Sequence, residues 1–164
     1  MSFTLEFSKP SFKFSCAHFT IFGHSRAEKL HGHNYRVAVQ MRFLKLDKET
    51  GLAAEFSELK RPIIEVCDSL DEMVLIPNES SFLQINKHDS EYEVRFQKKR
   101  YVFPKQDVLL LPLRNISSEE LARFIARELQ KKYTRVPMKS LRVRVGETDG
   151  QSVTYQLSQS KDEI

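Results

Sequence analysis

The stretch "KLHGHNYRVAVQMRF", residues 29–43, decides how this chain is read. Tyr35, Val37, Val39, Met41 and Phe43 occupy every second position, with Asn34, Arg36, Ala38, Gln40 and Arg42 between them. That is the period of a half-buried strand. His31 and His33 share the parity of the apolar set, so they point to the same inward face. Two bare imidazoles on such a face are costly unless something binds both.

Upstream, "SFKFSCAHF" alternates in the same way: Phe12, Phe14, Cys16 and His18 fall on one parity, Ser11, Lys13, Ser15 and Ala17 on the other. His18 is therefore a third inward histidine, and a polar loop, residues 19–30, joins the two strands. Antiparallel pairing brings all three imidazoles together. Three histidines with no cysteine are the ligand set of a catalytic zinc with an open fourth position, since structural zinc sites usually close with thiolates. Iron, nickel or copper would accept the same donors. The alternative is that His31 and His33 are ordinary polar strand residues, a reading the third inward histidine weakens.

Downstream, the strand ends near the turn signal "LDKETG", and "FSELKRPIIEVCDSLDE" predicts an amphipathic helix with Ser57 as N-cap and Pro62 disturbing its start. Within 73–115, "YEVRF", a "QKK" turn and "RYVF" predict a hairpin, followed by the apolar run "DVLLLPL". Ser117 and Glu120 form a capping box ahead of "LARFIARELQKK", with Leu121, Phe124, Ile125 and Leu129 at helical spacing and an end before Pro137. "SLRVRVGETD" and "SVTYQL" predict two closing strands around Asp149-Gly150. The order gives an α+β domain: an antiparallel four-stranded sheet with two helices on one face and an inserted hairpin.

The composition agrees. A length of 164 residues suits one domain, and 29% charged with 40% hydrophobic residues is ordinary for a soluble protein. No apolar run reaches the ~20 residues of a membrane helix, and "MSFTLEFSKP" lacks a signal-peptide pattern, so the expectation is a cytoplasmic protein without a membrane partner. Cys16 and Cys67 are too few for a disulfide framework. The net charge of +4 is mild, and its basic residues lack the aromatic interleaving of a nucleic-acid surface.

"FSCAHF", "LHGHNYRV", "SSEELARFIA" and "GETDG" together resemble the signature segments of the 6-pyruvoyl-tetrahydropterin synthase and 6-carboxytetrahydropterin synthase family, in order from about residue 10 to 155. The resemblance implies the tunnelling fold (T-fold) over a single domain, 1–164, with about 78–114 as an insertion that compact members lack. It also implies a homohexamer of two trimers with sites between subunits, zinc on His18, His31 and His33, and a pterin triphosphate substrate. Glu147 matches the family's acidic pterin anchor, whose carboxylate can accept two hydrogen bonds from the ring edge. Ser117, Ser118 and Glu119 match the neighbouring Thr-Thr-Glu segment, though Ser117 would cap the helix whatever the ligand.

The departures define the chemistry. Members that make 6-pyruvoyl-tetrahydropterin carry a cysteine just before HGH and a downstream "LDH"; here the first segment is "HSRAEKLHGH" and the second "SLDEMVLIP". Asp71 is kept, Glu72 replaces the histidine, and Cys16 reads as core. Glu28, three residues before His31, resembles a subgroup in which glutamate takes the cysteine's place and the side chain of 7,8-dihydroneopterin triphosphate is cleaved to 6-hydroxymethyl-7,8-dihydropterin, a folate precursor. The expectation is that Glu28, in a partly dry site, is a general base with a raised pKa, assisted by Asp71. His24 in the same loop is a candidate proton shuttle, and His88 is given no role. The alternative is a pterin- or purine-binding protein that keeps the metal without this chemistry.

Overall fold

The computed structural model describes residues 1–148 and 150–158. Its spine is strand β3 (His31–Phe43), laid down by the alternation that opens the sequence. One edge of β3 carries β1 (Phe3–Phe7) and β2 (Lys13–His18) end to end, both antiparallel; the other pairs with β9 (Ser140–Thr148), which pairs with β10 (Gln151–Ser158). The four expected strands are thus the antiparallel centre β10-β9-β3-β2. Gly150 takes φ of 83° in the closing hairpin, as a turn with positive φ requires; Asp149 lies outside the described residues.

The sheet extends further than alternation foretold. β4 (Met73–Pro77) adds to β2 in parallel, and β8 (Val108–Leu111) adds to β4 in parallel, giving seven strands with β1. Parallel neighbours need crossovers. The first is supplied by β3 and α1 (Phe56–Leu70), the second by a separate antiparallel sheet of β5 (Gln84–Lys87), β6 (Glu91–Phe96) and β7 (Lys99–Pro104). The predicted hairpin is β6–β7, and the expected insertion is this small sheet plus β8.

Helices α1 and α2 (Ser118–Lys132) cover one sheet face. Phe14, Tyr35, Val37, Val39 and Met41 meet Leu59, Ile63 and Val66 of α1 and Leu121, Ile125 and Leu129 of α2 in one core. Each such aliphatic side chain contributes roughly 1.5–3 kcal/mol when fully buried. Helix α2 begins as read: Ser117 caps it by accepting from the Glu120 N–H. Helix α1 does not: its N-cap is Glu55, without a side-chain cap bond, and Ser57 lies inside the first turn. "SELK" has no acid three residues after the serine to complete a capping box. Pro62 sits buried within the helix rather than near an irregular start. No helix among the described residues is long and apolar enough to cross a membrane.

Candidate metal centre and base

Pairing of β2 with β3 sets His18 opposite His31 and Cys16 opposite His33. The three imidazoles converge with Glu147 of β9, one ligand atom from each lying within 4.8 Å of the others. His18 is fully buried at the floor, whereas His31 and Glu28 are 35% and 36% exposed in their side chains, so the cluster opens to solvent on their side.

The hydrogen bonds around the cluster decide what it can hold. Nδ1 of His18 lies 3.2 Å from the Ile116 carbonyl, and Nδ1 of His31 lies 2.7 Å from the Lys29 carbonyl. A carbonyl only accepts, so each Nδ1 carries the hydrogen and, in the neutral ring, each Nε2 turns a bare lone pair toward the centre. Burial pushes the His18 pKa down, and the neighbouring His31 adds to this, so its imidazole is neutral. His31 Nε2 is 2.9 Å from His33 Nε2, and Glu147 Oε1 is 3.0 Å from His33 Nε2 and 3.6 Å from His18 Nε2.

Donors are scarce. The Tyr35 hydroxyl, 3.1 Å from His18 Nε2 and 3.2 Å from Glu147 Oε1, has one hydrogen to give and two acceptors facing it. Even with a hydrogen on His33 Nε2, that hydrogen and the Tyr35 one face three acceptors, the Nε2 atoms of His18 and His31 and Oε1 of Glu147, a deficit a cation relieves. Ligands ~2.0–2.1 Å from a tetrahedral zinc sit about 3.3 Å apart, a spacing these donors span without rearranging the backbone. The outer bonds to Ile116 and Lys29 are the second shell that orients metal-binding imidazoles. The donor set fits a metal ion.

Glu147 is held from two sides. Tyr35 donates to one of its oxygens, and the Ser118 hydroxyl lies 3.4 Å from the other. Tyr35, which reads in the sequence as one more core residue of β3, is the site residue that sequence reasoning missed. Its only signal is its place in "HGHNY", on the histidines' own parity. Ser117 serves as helix cap, and Glu119, in the first turn of α2, is exposed.

Glu28 Oε2 lies 3.9 Å from His31 Nε2 and accepts from the Thr20 N–H at 2.9 Å. The expected raised pKa is not found. Burial does push the carboxyl up, but the Thr20 N–H and hydroxyl and the imidazoles of His31 and His18 outweigh it, and the net direction is down. Glu28 is an ionised carboxylate at the mouth of the cluster. Cys16 is the opposite case: buried in the core, its thiol is pushed up to about 12 by desolvation, with Glu147 and Asp71 adding to it, so it stays protonated.

Among the described residues, Asp71, Glu72 and His24 make no hydrogen bond or ion pair with the cluster. Asp71 Oδ1 accepts from the Ser15 N–H at 2.6 Å, and Glu72, at φ of 59°, donates its N–H to the Ser15 carbonyl. Glu72 lines an open pocket with Ser15, Ala17, Gly32 and Asn34, which have the opposite parity to the histidines, and with Cys16 and His33, which share that parity. Among the described residues no bond joins Asp71 or Glu72 to Glu28. His24 is exposed and packs edge-on against Phe82, ring centroids 4.9 Å apart.

A twisted sheet with helices on one face and a histidine-rich centre at the mouth of β2 and β3 defines an α+β protein of the T-fold class. The chain belongs to the 6-pyruvoyl tetrahydropterin synthase family, whose profile matches residues 8–158. It is similar to a Methanocaldococcus jannaschii protein that carries the provisional name 6-carboxy-5,6,7,8-tetrahydropterin synthase, with 27% identity over 87% of this chain and 88% of that one. Among solved structures it is similar to the 6-pyruvoyl tetrahydropterin synthase of Plasmodium vivax, at TM-score 0.90 and 28% identity over 97% of this chain and 99% of that one. The same P. vivax protein has been solved with a catalytic glutamate replaced by alanine and by cysteine. The Caenorhabditis elegans 6-pyruvoyl tetrahydropterin synthase, at 18% identity and TM-score 0.60, shares the fold.

Proposed function

We propose that this chain is a cytoplasmic, zinc-dependent lyase that cleaves the side chain of 7,8-dihydroneopterin triphosphate to give 6-hydroxymethyl-7,8-dihydropterin. The observation that carries the reading is the ionised Glu28 carboxylate 3.9 Å from His31 Nε2, pinned by Thr20 at the open side of a three-histidine cluster. A glutamate is the catalytic residue of the P. vivax relative, and we take Glu28 as its counterpart.

Zinc held by His18, His31 and His33 would supply Lewis acidity that lowers the pKa of the substrate's side-chain hydroxyls. Glu147, steadied by Tyr35 and Ser118, accepts two hydrogen bonds from the amino edge of the pterin and fixes the ring. Ser117, the N-cap of α2, and Glu119, in its first turn, flank Ser118 and are the further residues of this reading on the ring's side of the site. Glu28 removes the proton from the outer hydroxyl. The bond between the two hydroxyl-bearing carbons breaks, its electron pair passes into the dihydropterin ring system, and the ring-side carbon is then protonated. The triphosphate-bearing fragment leaves as an aldehyde, so atoms and electrons balance without an oxidant. A lowered carboxyl pKa serves this step, because the base must be ionised when the substrate arrives.

Asp71 and Glu72 do not meet Glu28 within one chain. The reading therefore includes a homohexamer in which these two residues reach the site of a neighbouring subunit. The test is Glu28→Gln, which keeps the Thr20 contact while removing the base. Zinc content and pterin binding stay, and turnover falls ~10²-fold or more. Full turnover in the zinc-loaded variant overturns the assignment.

A further inference from the structure

The loop carrying Glu28 is not held by the histidine strands alone. Residues 19–30 fold into a small hairpin closed by an Ile21–Ala27 bridge, with the Glu28 N–H bonded to the Thr20 carbonyl at 2.9 Å. On one side Asn115 accepts from the Ile21 N–H at 3.0 Å and donates to the Ile21 carbonyl at 2.9 Å. On the other side the loop meets the inserted sheet. The Lys99 ammonium, at the start of β7, donates to the Glu28 carbonyl at 3.0 Å and to the Ala27 carbonyl at 3.5 Å. The Gln97 side-chain amide, in the β6–β7 turn, donates to the His24 carbonyl.

The apolar contacts run the same way. Phe19 and Ile21 are buried in a second core with Val94 and Phe96 of β6, and Phe19 stacks on Tyr101 of β7 at 5.6 Å. A three-stranded sheet this small needs an apolar cover to be stable. Here the loop that bears Glu28 supplies part of that cover through Phe19 and Ile21, beside Ile76 of β4 and Val108 of β8. The insertion and the loop are one packed unit.

We infer that the inserted sheet positions Glu28, and that Lys99 is the positioning residue that fixes the backbone of the base against the metal centre. The inference rests on the proposed role of Glu28. Lys99 does not touch the carboxylate. It donates to two successive carbonyls, those of Ala27 and Glu28, and so fixes the backbone from which the Glu28 side chain reaches toward His31. Misplacement of a reacting group by an ångström is enough to cost orders of magnitude in rate.

The experiment is a double-mutant cycle on the full zinc-loaded protein, with Lys99→Met, Lys99→Arg, Glu28→Gln and the Glu28→Gln/Lys99→Met double variant. Lys99→Met keeps the aliphatic stem and removes the charge. Its kcat is expected to fall about tenfold, with KM within about twofold and Lys99→Arg restoring most of the loss. In the Glu28→Gln background the same change is expected to cost less than about twofold, because a residue acting through Glu28 has nothing left to position. Amide exchange of residues 24–29 is expected to quicken in Lys99→Met, an observation that needs no substrate. Equal losses in both backgrounds would show a general structural role and overturn the inference. So would wild-type kcat and unchanged exchange in Lys99→Met. If Glu28→Gln alone is fully active, the proposed role of Glu28 fails first, and this inference falls with it.

Discussion

Glu147 stands where two roles meet: its carboxylate lies among the imidazoles, and it is the proposed anchor of the pterin edge. Replacing it by glutamine keeps the volume and the Ser118 and Tyr35 neighbours while removing the charge. If Glu147 anchors the ring, the substitution loses one of two charge-assisted hydrogen bonds and weakens the other. Bonds of this kind are worth roughly 1.5–3 kcal/mol each, so the total loss is about 3 kcal/mol. That corresponds to about a hundredfold weaker pterin binding, since ~1.4 kcal/mol is a factor of ten. In the proposed site three histidines hold the zinc, so it should stay at one ion per chain. The assay is paired: metal content after gel filtration, and pterin affinity by calorimetry on the loaded protein. Loss of zinc with pterin affinity intact would show that Glu147 is a fourth ligand and refute the reasoning.

Three further outcomes follow from the same structure. Replacing His31 by alanine removes one of three donors and leaves the Lys29 carbonyl unpaired; zinc should be lost from the purified protein, as metal analysis would show, while the far-ultraviolet circular dichroism stays native. Ile125→Ala empties a fully buried position of α2 and should cost about 2–5 kcal/mol of stability, read by urea unfolding. Glu93, bonded by Arg95 and then Arg100 on the small β5–β7 sheet, is held down at about 2, below the usual carboxylate range. Its contribution is therefore present above the ordinary carboxylate pKa and lost as pH falls through about 2. The gap in melting temperature between wild type and Glu93→Gln should be widest near neutrality and close toward that acid limit, and a gap that widens in acid would contradict the assignment.

How much of this was legible in the sequence follows from what each element depends on. Alternation with period two placed β2 and β3 and turned His18, His31 and His33 to one face, because strand parity is a local property. The Ser117 cap was equally local. Strands β4 and β8 are apolar runs buried in parallel pairing, where period two vanishes, so "MVLIP" and "VLLL" gave no strand signal of their own. β1 alternates, yet its Phe3 and Leu5 lie at an edge and were not separated from an ordinary N-terminal segment. The Ser57 cap failed because the residue type fits but the box partner is missing. Tyr35 looked like core because the site is built at the end of the core, and no pattern distinguishes a hydroxyl that packs from one that donates. The direction of the Glu28 pKa depends on the Thr20 N–H, and the role of Lys99 on a contact between residues 71 positions apart. Neither can be seen before the chain is folded.

In the proposed function, a three-histidine metal centre with Glu28 beside it cleaves a pterin side chain. The most direct test is to incubate the zinc-loaded protein with 7,8-dihydroneopterin triphosphate and identify the pterin product by mass. The expected products are 6-hydroxymethyl-7,8-dihydropterin and a triphosphate-bearing aldehyde. A 6-pyruvoyl product, or tight pterin binding with no product at all, would contradict that function.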